Sequence, residues 1–251
     1  MLDVIILCGG KGLRMSEITS TIPKPLAIVR GRPIIWHIMN HYSRFGYNNF
    51  ILPLGYKGAA IKEYFRETKV YSHKSEYMVE TEAIDNEQKN EKKWCITFVD
   101  TGEETMTGAR VKMLEKYIKD DEFLLTYGDG IADVDIKALV DYHEKMGKMV
   151  TVTGINYKSN YGILTVEEGI AVRFNEKPRL DLIINGGFFV CNKEVFSYLS
   201  EDVGCILENT LLEQMANKKE LAVYKHNGYW IGIDTCKDIE EANLLLEDKE
   251  N

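Results

Sequence analysis

Five consecutive apolar residues, Val4-Ile5-Ile6-Leu7-Cys8, run straight into Gly9-Gly10. An apolar run of strand length with no polar alternation has no face to show water, so it suits a strand covered on both sides, as in a parallel sheet with helices on each face. The chain then alternates. Pro33 suits the first position of a helix in which Ile34, Ile35, Ile38 and Tyr42 recur at near-helical spacing until Gly46 ends it. Strand-like runs follow at Phe50 to Leu52, Cys95 to Val99 and Phe123 to Thr126, separated by helical patterns at Gly58 to Thr68 and Gly108 to Ile118. After Val134 a helix runs towards Gly147, and strands are expected at Val150 to Ile155, Gly162 to Val166, Ile183 to Val190 and Leu221 to Lys225. Helices at Glu208 to Asn217 and Lys237 to Glu247 complete the pattern. This predicts an α/β fold, a Rossmann-like, mostly parallel (mixed) sheet flanked by helices, in a single domain spanning 1–251. At about 69–93 the alternation fails in a polar, doubly charged stretch, read as an insertion or hairpin: a solvated loop on the plainer view, a subunit-contact arm on the other.

The chain of 251 residues carries 31 Lys and Arg against 39 Asp and Glu, a formal net charge of −8. That acidity argues against nucleic acid as a partner, which usually meets a basic face. No apolar run approaches the ~18–20 residues of a membrane span, and the N-terminus lacks a basic, signal-like start, so no membrane partner and a cytoplasmic location are expected. Cys8, Cys95, Cys191, Cys205 and Cys236 are scattered and odd in number, which disfavours a disulfide framework or a structural zinc site. His37 and His41 would share a helix face but have no third ligand nearby.

Against that background one segment reverses sign. Lys11, Arg14, Lys24, Arg30 and Arg32 share a stretch with a single acid, Glu17, beside the glycine-rich turn Gly9-Gly10-Lys11-Gly12. Glycines let backbone amides approach an anion, and the cations hold its charge, as a polyphosphate requires. The spacing matches neither a P-loop nor a dinucleotide fingerprint. Pro23 and Pro25 restrict the backbone around Lys24 and so set where that point charge projects. Leu124-Leu125-Thr126-Tyr127 ends in Gly128-Asp129-Gly130, placing an acid at a strand end where open α/β sheets bind ligands; Asp129 is a plausible Mg²⁺ ligand beside a polyphosphate, and Asp234 is a second candidate.

These segments, with Gly55-Tyr56-Lys57-Gly58, Asp100-Thr101-Gly102, Met106-Thr107-Gly108, Glu176-Lys177-Pro178 and Asn185-Gly186-Gly187, resemble the sugar-1-phosphate nucleotidylyltransferases, and more closely the glucose-1-phosphate cytidylyltransferases, over nearly the whole length. The resemblance implies the nucleotidyl-diphospho-sugar transferase type of fold. It implies CTP held by Cys8, Gly9, Gly10, Lys11, Gly12, Arg14, Lys24, Thr107, Gly108, Arg110, Gly128 and Asp129, and Mg²⁺ held by Asp129 and Asp234. It places a small phosphorylated acceptor at Gly130, Tyr161, Gly162, Glu176, Lys177, Asn185, Gly186, Glu208 and Trp230. Arg14, Lys24 and Lys177 are the implied catalytic cations, and a homo-oligomer is implied, with the 69–93 insertion between subunits.

Several positions depart from the family pattern. Leu13 stands where a Thr is usual, the stretch from Pro178 to Asn185 is short and apolar, Leu207 and Leu211 flank Glu208, Ile231-Gly232 precedes Asp234, and a C-terminal extension is missing. The changes gather on the acceptor side. The resemblance implies transfer of CMP from CTP to glucose 1-phosphate with release of pyrophosphate; the altered acceptor segments motivate the alternative of a smaller polyol phosphate such as glycerol phosphate.

Overall fold

The structure is a computed structural model that describes residues 1–11, 22–67, 70–71, 78–84, 91–159 and 161–250. Among the described residues nine strands form one sheet: β1 (Val4–Leu7), β2 (Asn49–Leu54), β3 (Val70–Tyr71), β4 (Met78–Ile84), β5 (Glu91–Asp100), β6 (Glu122–Tyr127), β7 (Val150–Lys158), β8 (Arg179–Asn192) and β9 (Leu221–His226). Their order is β9-β7-β8-β6-β1-β2-β5-β4-β3. The pairs β6–β1, β1–β2, β2–β5 and β7–β9 are parallel, and β8 lies antiparallel to both β7 and β6. Among the seven strands from β9 to β5, β8 is therefore the one reversed strand of a mixed, mostly parallel sheet.

The continuous apolar character of β1 has the expected cause. Val4, Ile6 and Cys8 face one buried cluster with Ile34, Ile38, Phe50 and Leu124, while Ile5 faces the other with Ile51, Val99, Phe123 and Phe189. Alternate residues of a strand point to opposite faces, so a strand buried on both must be apolar throughout. Each fully buried aliphatic or aromatic side chain contributes roughly 1.5–3 kcal/mol. Helices cover the faces: α1 (Ile34–Arg44), α2 (Gly58–Glu67), α3 (Thr107–Lys112), α4 (Ile136–Met146), α5 (Glu213–Asn217) and α6 (Cys236–Glu250). The ends of α4 show how local chemistry sets its limits. The Asp135 carboxylate accepts from the Ala138 N–H at 2.8 Å at the start, and Gly147 takes a left-handed conformation (φ 57°) at the end.

Four expectations need correction. Pro33 precedes α1 as its cap instead of occupying the first helical turn. The helix expected over Gly108 to Ile118 ends at Lys112, because Leu114 and Tyr117 bond to carbonyls three residues back and tighten the chain into a 3₁₀ turn at Glu115–Tyr117. The segment Glu208 to Asn217 opens as a π-helical turn (Glu208–Leu212) before α5. The strand expected near Gly162 to Val166 stays out of the main sheet; Ile163–Glu167 pairs with Ile170–Asn175 as a separate two-stranded ribbon beyond the ends of β7 and β8. Within the 69–93 stretch, read above as an insertion or hairpin, the described residues of β4 pair antiparallel with β5 from Met78 opposite Thr97 to Ile84 opposite Glu91.

Candidate active site

Because β1, β2, β5 and β6 are parallel, their carboxyl ends Leu7, Leu54, Asp100 and Tyr127 open at one edge of the sheet. A cavity of ≈ 400 Å³ lies there, with Cys8, Gly9, Gly10 and Lys11 along one side, Thr107 and Arg110 along another, and Lys24, Gly128 and Asp129 also in its wall. This is the ligand position that open α/β sheets offer. Two of the residues implied for the triphosphate, Gly12 and Arg14, lie outside the described residues, as does Leu13.

Lys24 sits at the start of a 3₁₀ turn between its two prolines, and its ammonium is 2.8 Å from Asp129 Oδ2 and 2.8 Å from Asp234 Oδ1. The two acids named as metal ligands, 105 residues apart in the chain, thus converge on one cation. Burial pushes the Lys24 pKa down, but the charges and hydrogen bonds of Asp129 and Asp234 outweigh it, and the net direction is upward. Asp234 is held by its own turn, its N–H donating to Asp238 Oδ2 at 2.9 Å.

Arg110 is buried, with 3% of its surface exposed. Its guanidinium donates to the carbonyls of Leu54 (3.1 Å), Gly9 (3.0 Å) and Glu103 (3.2 Å) and to Thr101 Oγ1 (2.6 Å). Burial moves its pKa down from the ordinary guanidinium value. The fork is therefore spent tying together the loops after β1, β2 and β5, and Arg110 shapes the cavity floor. Gly9 and Gly55 have to be glycine for the same reason: a Cβ on Gly9 would lie 2.4 Å from Arg110 Nη1, and one on Gly55 2.5 Å from it. Cys8 is part of this floor too, its thiol directed to the Pro53 carbonyl and pushed by burial up to about 12.

Among the residues that the resemblance implies for the acceptor, Trp230 Nε1 donates to the Gly186 carbonyl at 2.7 Å, and Trp230 to Gly232 pairs with Gly130 to Ala132. Asn185 and Glu208 meet through Tyr127, whose hydroxyl donates to Glu208 Oε1 and accepts from Asn185 Nδ2 at 3.2 Å. Tyr161, Gly162, Glu176 and Lys177 are at the base of the separate ribbon and outside the cavity wall; Tyr161 is 77% exposed, and Lys177 has a positive φ of 44°. The ribbon is not paired into the main sheet, so nothing in the sheet register draws these four inward.

Leu7 and Glu103-Glu104-Thr105 also line the wall with no signal in the sequence, and Pro25, Met106 and Tyr127, which stand in the motifs, line it without having been assigned a ligand contact. Glu104 holds Lys11 at 2.6 Å, a pairing over 93 residues that leaves no mark in the linear pattern. Tyr127 did carry a signal: it directly precedes Gly128-Asp129. His37 and His41 each set Nε2 against a carbonyl, that of Val29 at 2.8 Å and that of Val134 at 2.7 Å.

Comparison with known proteins agrees with this architecture. The nucleotidyl transferase family matches residues 3–249. A Bacillus subtilis (strain 168) protein described as a probable glucose-1-phosphate cytidylyltransferase is 48% identical over 244 residues, covering 97% of this chain and 96% of that protein. The glucose-1-phosphate cytidylyltransferase of Salmonella typhi is 41% identical over 239 residues, covering 94% of this chain and 93% of its own. In fold, the chain resembles a UDP-glucose pyrophosphorylase (TM-score 0.71, 17% identity, 99% of each chain) and the inositol-1-phosphate CTP transferase from T. maritima (TM-score 0.68, 18% identity, 100% of this chain and 97% of that one). With a family match over nearly its whole length and a glycine-floored cavity at the carboxyl ends of its parallel strands, this chain belongs to the nucleotidyl transferase family.

Proposed function

We propose that the chain transfers CMP from CTP to glucose 1-phosphate, forming CDP-glucose and pyrophosphate. The observation that carries the reading is the convergence of Lys24, Asp129 and Asp234 beside a glycine-lined cavity, in a chain 48% identical to a protein described as a probable glucose-1-phosphate cytidylyltransferase. The acceptor's phosphate has a second pKa near ~6, so at neutral pH it is largely dianionic and needs no strong base. One of its oxygens bonds to the α-phosphorus of CTP; the bond from that phosphorus to the oxygen bridging to the β-phosphorus breaks, and pyrophosphate leaves with the electron pair. The barrier lies in bringing two anions together. Lys24 and Arg14 supply charge on the nucleotide side, while the amides around Gly9 and Gly10 present N–H groups to phosphate oxygens; Lys177, implied by the resemblance for the acceptor's phosphate, lies outside the cavity wall.

The donor set fits Mg²⁺. Two carboxylates aim at one point, where the Lys24 ammonium stands in for a cation, and all the ligand atoms are oxygens, as a hard divalent ion prefers. When bound by Asp129 and Asp234 the ion would neutralise phosphate charge. Lys24 is then the group that exchanges carboxylate partners for phosphate oxygens. A homo-oligomer and a cytoplasmic location belong to the same proposal; no described helix is long and apolar enough to cross a membrane.

The test is a matrix of CTP, UTP, dTTP and ATP against glucose 1-phosphate and glycerol phosphate, read by Mg²⁺-dependent pyrophosphate release. CTP with glucose 1-phosphate should exceed every other combination by orders of magnitude. A glycerol phosphate winner would move the acceptor to the polyol class, and no release with any pair would remove the catalytic reading.

A further inference from the structure

Tyr127 stands at the end of β6, next to Gly128-Asp129, and in the cavity wall. The bonds around it form a directed chain. Asn185 Oδ1 accepts from the Gly187 N–H at 2.8 Å, which fixes the amide so that Nδ2 faces outwards and donates to the Tyr127 hydroxyl at 3.2 Å. The Tyr127 hydroxyl donates to Glu208 Oε1. The other Glu208 oxygen accepts from Thr107 Oγ1 at 3.0 Å, and that hydroxyl in turn accepts the Leu207 N–H at 3.0 Å.

The backbone makes room for this ring. β8 carries an irregularity opposite Val152 and Gly154, and Gly187 within it has φ 78°, a conformation that side chains rarely adopt. A Cβ on Gly187 would lie 2.6 Å from the Tyr127 ring. The two ends of the chain of bonds belong to different halves of the site: Thr107 is in the cavity wall, whereas Asn185 is on β8 and exposed. Phenylalanine would fill the same volume. It could not join an amide donor to a carboxylate acceptor.

We infer that Tyr127 is a positioning residue that fixes Asn185 and Glu208 against the nucleotide-side Thr107, so that the acceptor's hydroxyls meet a pre-set amide and carboxylate. Glu208 accepts two hydroxyl donors here and, as a carboxylate, has capacity for more, which suits a polyhydroxylated neutral body over a second anionic group. The inference rests on the proposed function insofar as the acceptor carries hydroxyls; it does not depend on which nucleotide is used.

The experiment compares steady-state constants for Tyr127→Phe, Thr107→Val and Thr107→Ser in the full chain. Tyr127→Phe should raise the acceptor KM roughly tenfold and the CTP KM less than about twofold, the size expected when a hydrogen bond to a charged group is left unmade. Thr107→Val should likewise raise the acceptor KM, and Thr107→Ser, which keeps the hydroxyl, should restore it. Because KM does not depend on how much of the preparation is active, partial unfolding does not obscure the comparison. Glu208→Gln and Tyr127→Phe combined should be no worse than the poorer single variant. A Tyr127→Phe protein with wild-type acceptor KM, or one whose CTP and acceptor KM values rise together, overturns the inference. If the wild type ignores glucose 1-phosphate, the functional proposal fails on that control, and the same comparison is made with whichever acceptor of the panel it uses.

Discussion

Replacing Lys24 with Met leaves Asp129 and Asp234 facing each other across a vacated point. Two unit charges about 4 Å apart attract by about 4 kcal/mol at an effective dielectric near 20 and by about 1 kcal/mol in bulk water. Lys24 is 11% exposed, but the carboxylates are 42% and 46% exposed, so water screens the pair and the lower figure is nearer for each contact. The two contacts together give about 2 kcal/mol, which for a chain of this length lowers the melting temperature by roughly 4–8 °C. The pH dependence follows from the upward direction of the Lys24 pKa. Stability from a raised lysine is fully present below its unfolded value, about 10.4, and is lost only as pH rises through the higher folded value. The gap between wild type and variant should therefore stay flat from about pH 6 to 9 and close only in strong alkali. Thermal unfolding in a chelating buffer measures it. Mg²⁺ should then raise the variant's melting temperature more than the wild type's, because the carboxylate pair no longer has a lysine to displace. Equal melting temperatures in chelator, or equal Mg²⁺ shifts, would refute the reasoning.

Asp129→Asn should lower turnover by about 10²–10³, the loss typical of removing one group that stabilises transition-state charge, and unimpaired turnover would end its assignment. Arg110→Met removes the shared donor to the Gly9, Leu54 and Glu103 carbonyls and to Thr101 Oγ1, although the Gly9 and Leu54 carbonyls keep the N–H groups of Tyr56 and Thr101; stability should fall by roughly 3 kcal/mol, with a higher CTP KM, and Arg110→Lys should recover little because an ammonium lacks the planar fork. Gly9→Ala pushes a methyl into that guanidinium and should cost roughly 1–3 kcal/mol, a loss that should not add to that of Arg110→Met, as a double-mutant unfolding cycle would reveal.

How far the residues alone led differs across the site. Lys24 was legible because two prolines framed it in a locally basic stretch, and Asp129 because it followed a buried apolar strand. Asp234 was a weaker candidate, since nothing within its own neighbourhood says that it shares a cation with Asp129. Arg110 was expected near the nucleotide; it does reach the cavity, but its guanidinium is consumed by three carbonyls and a hydroxyl whose positions no spacing rule supplies. Tyr127 read as the last residue of a strand, and its partners lie 58 and 81 positions away.

The ribbon at 163–175 marks the same limit from the other direction. Its apolar run at Ile163-Leu164 passes for a sheet strand by composition, yet Leu164, Val166, Val172 and Phe174 are each more than half exposed. Hydrophobic pattern reports which residues resemble strand; it carries no information on which sheet accepts them, because that depends on register and bulges further along β7 and β8.

By itself the sequence determined the α/β alternation, the doubly buried first strand, the glycine turn and the reversed sign of charge beside it, since periodicity and local backbone freedom act over a few residues. Only the tertiary structure decided that Lys24 holds Asp129 and Asp234 at once, that Arg110 is floor material, and that Tyr127 joins the two halves of the site. Those are contacts between strand ends brought together by parallel pairing, and the energy of a charge or hydrogen bond depends on distance and burial in space, neither of which is written in the order of residues.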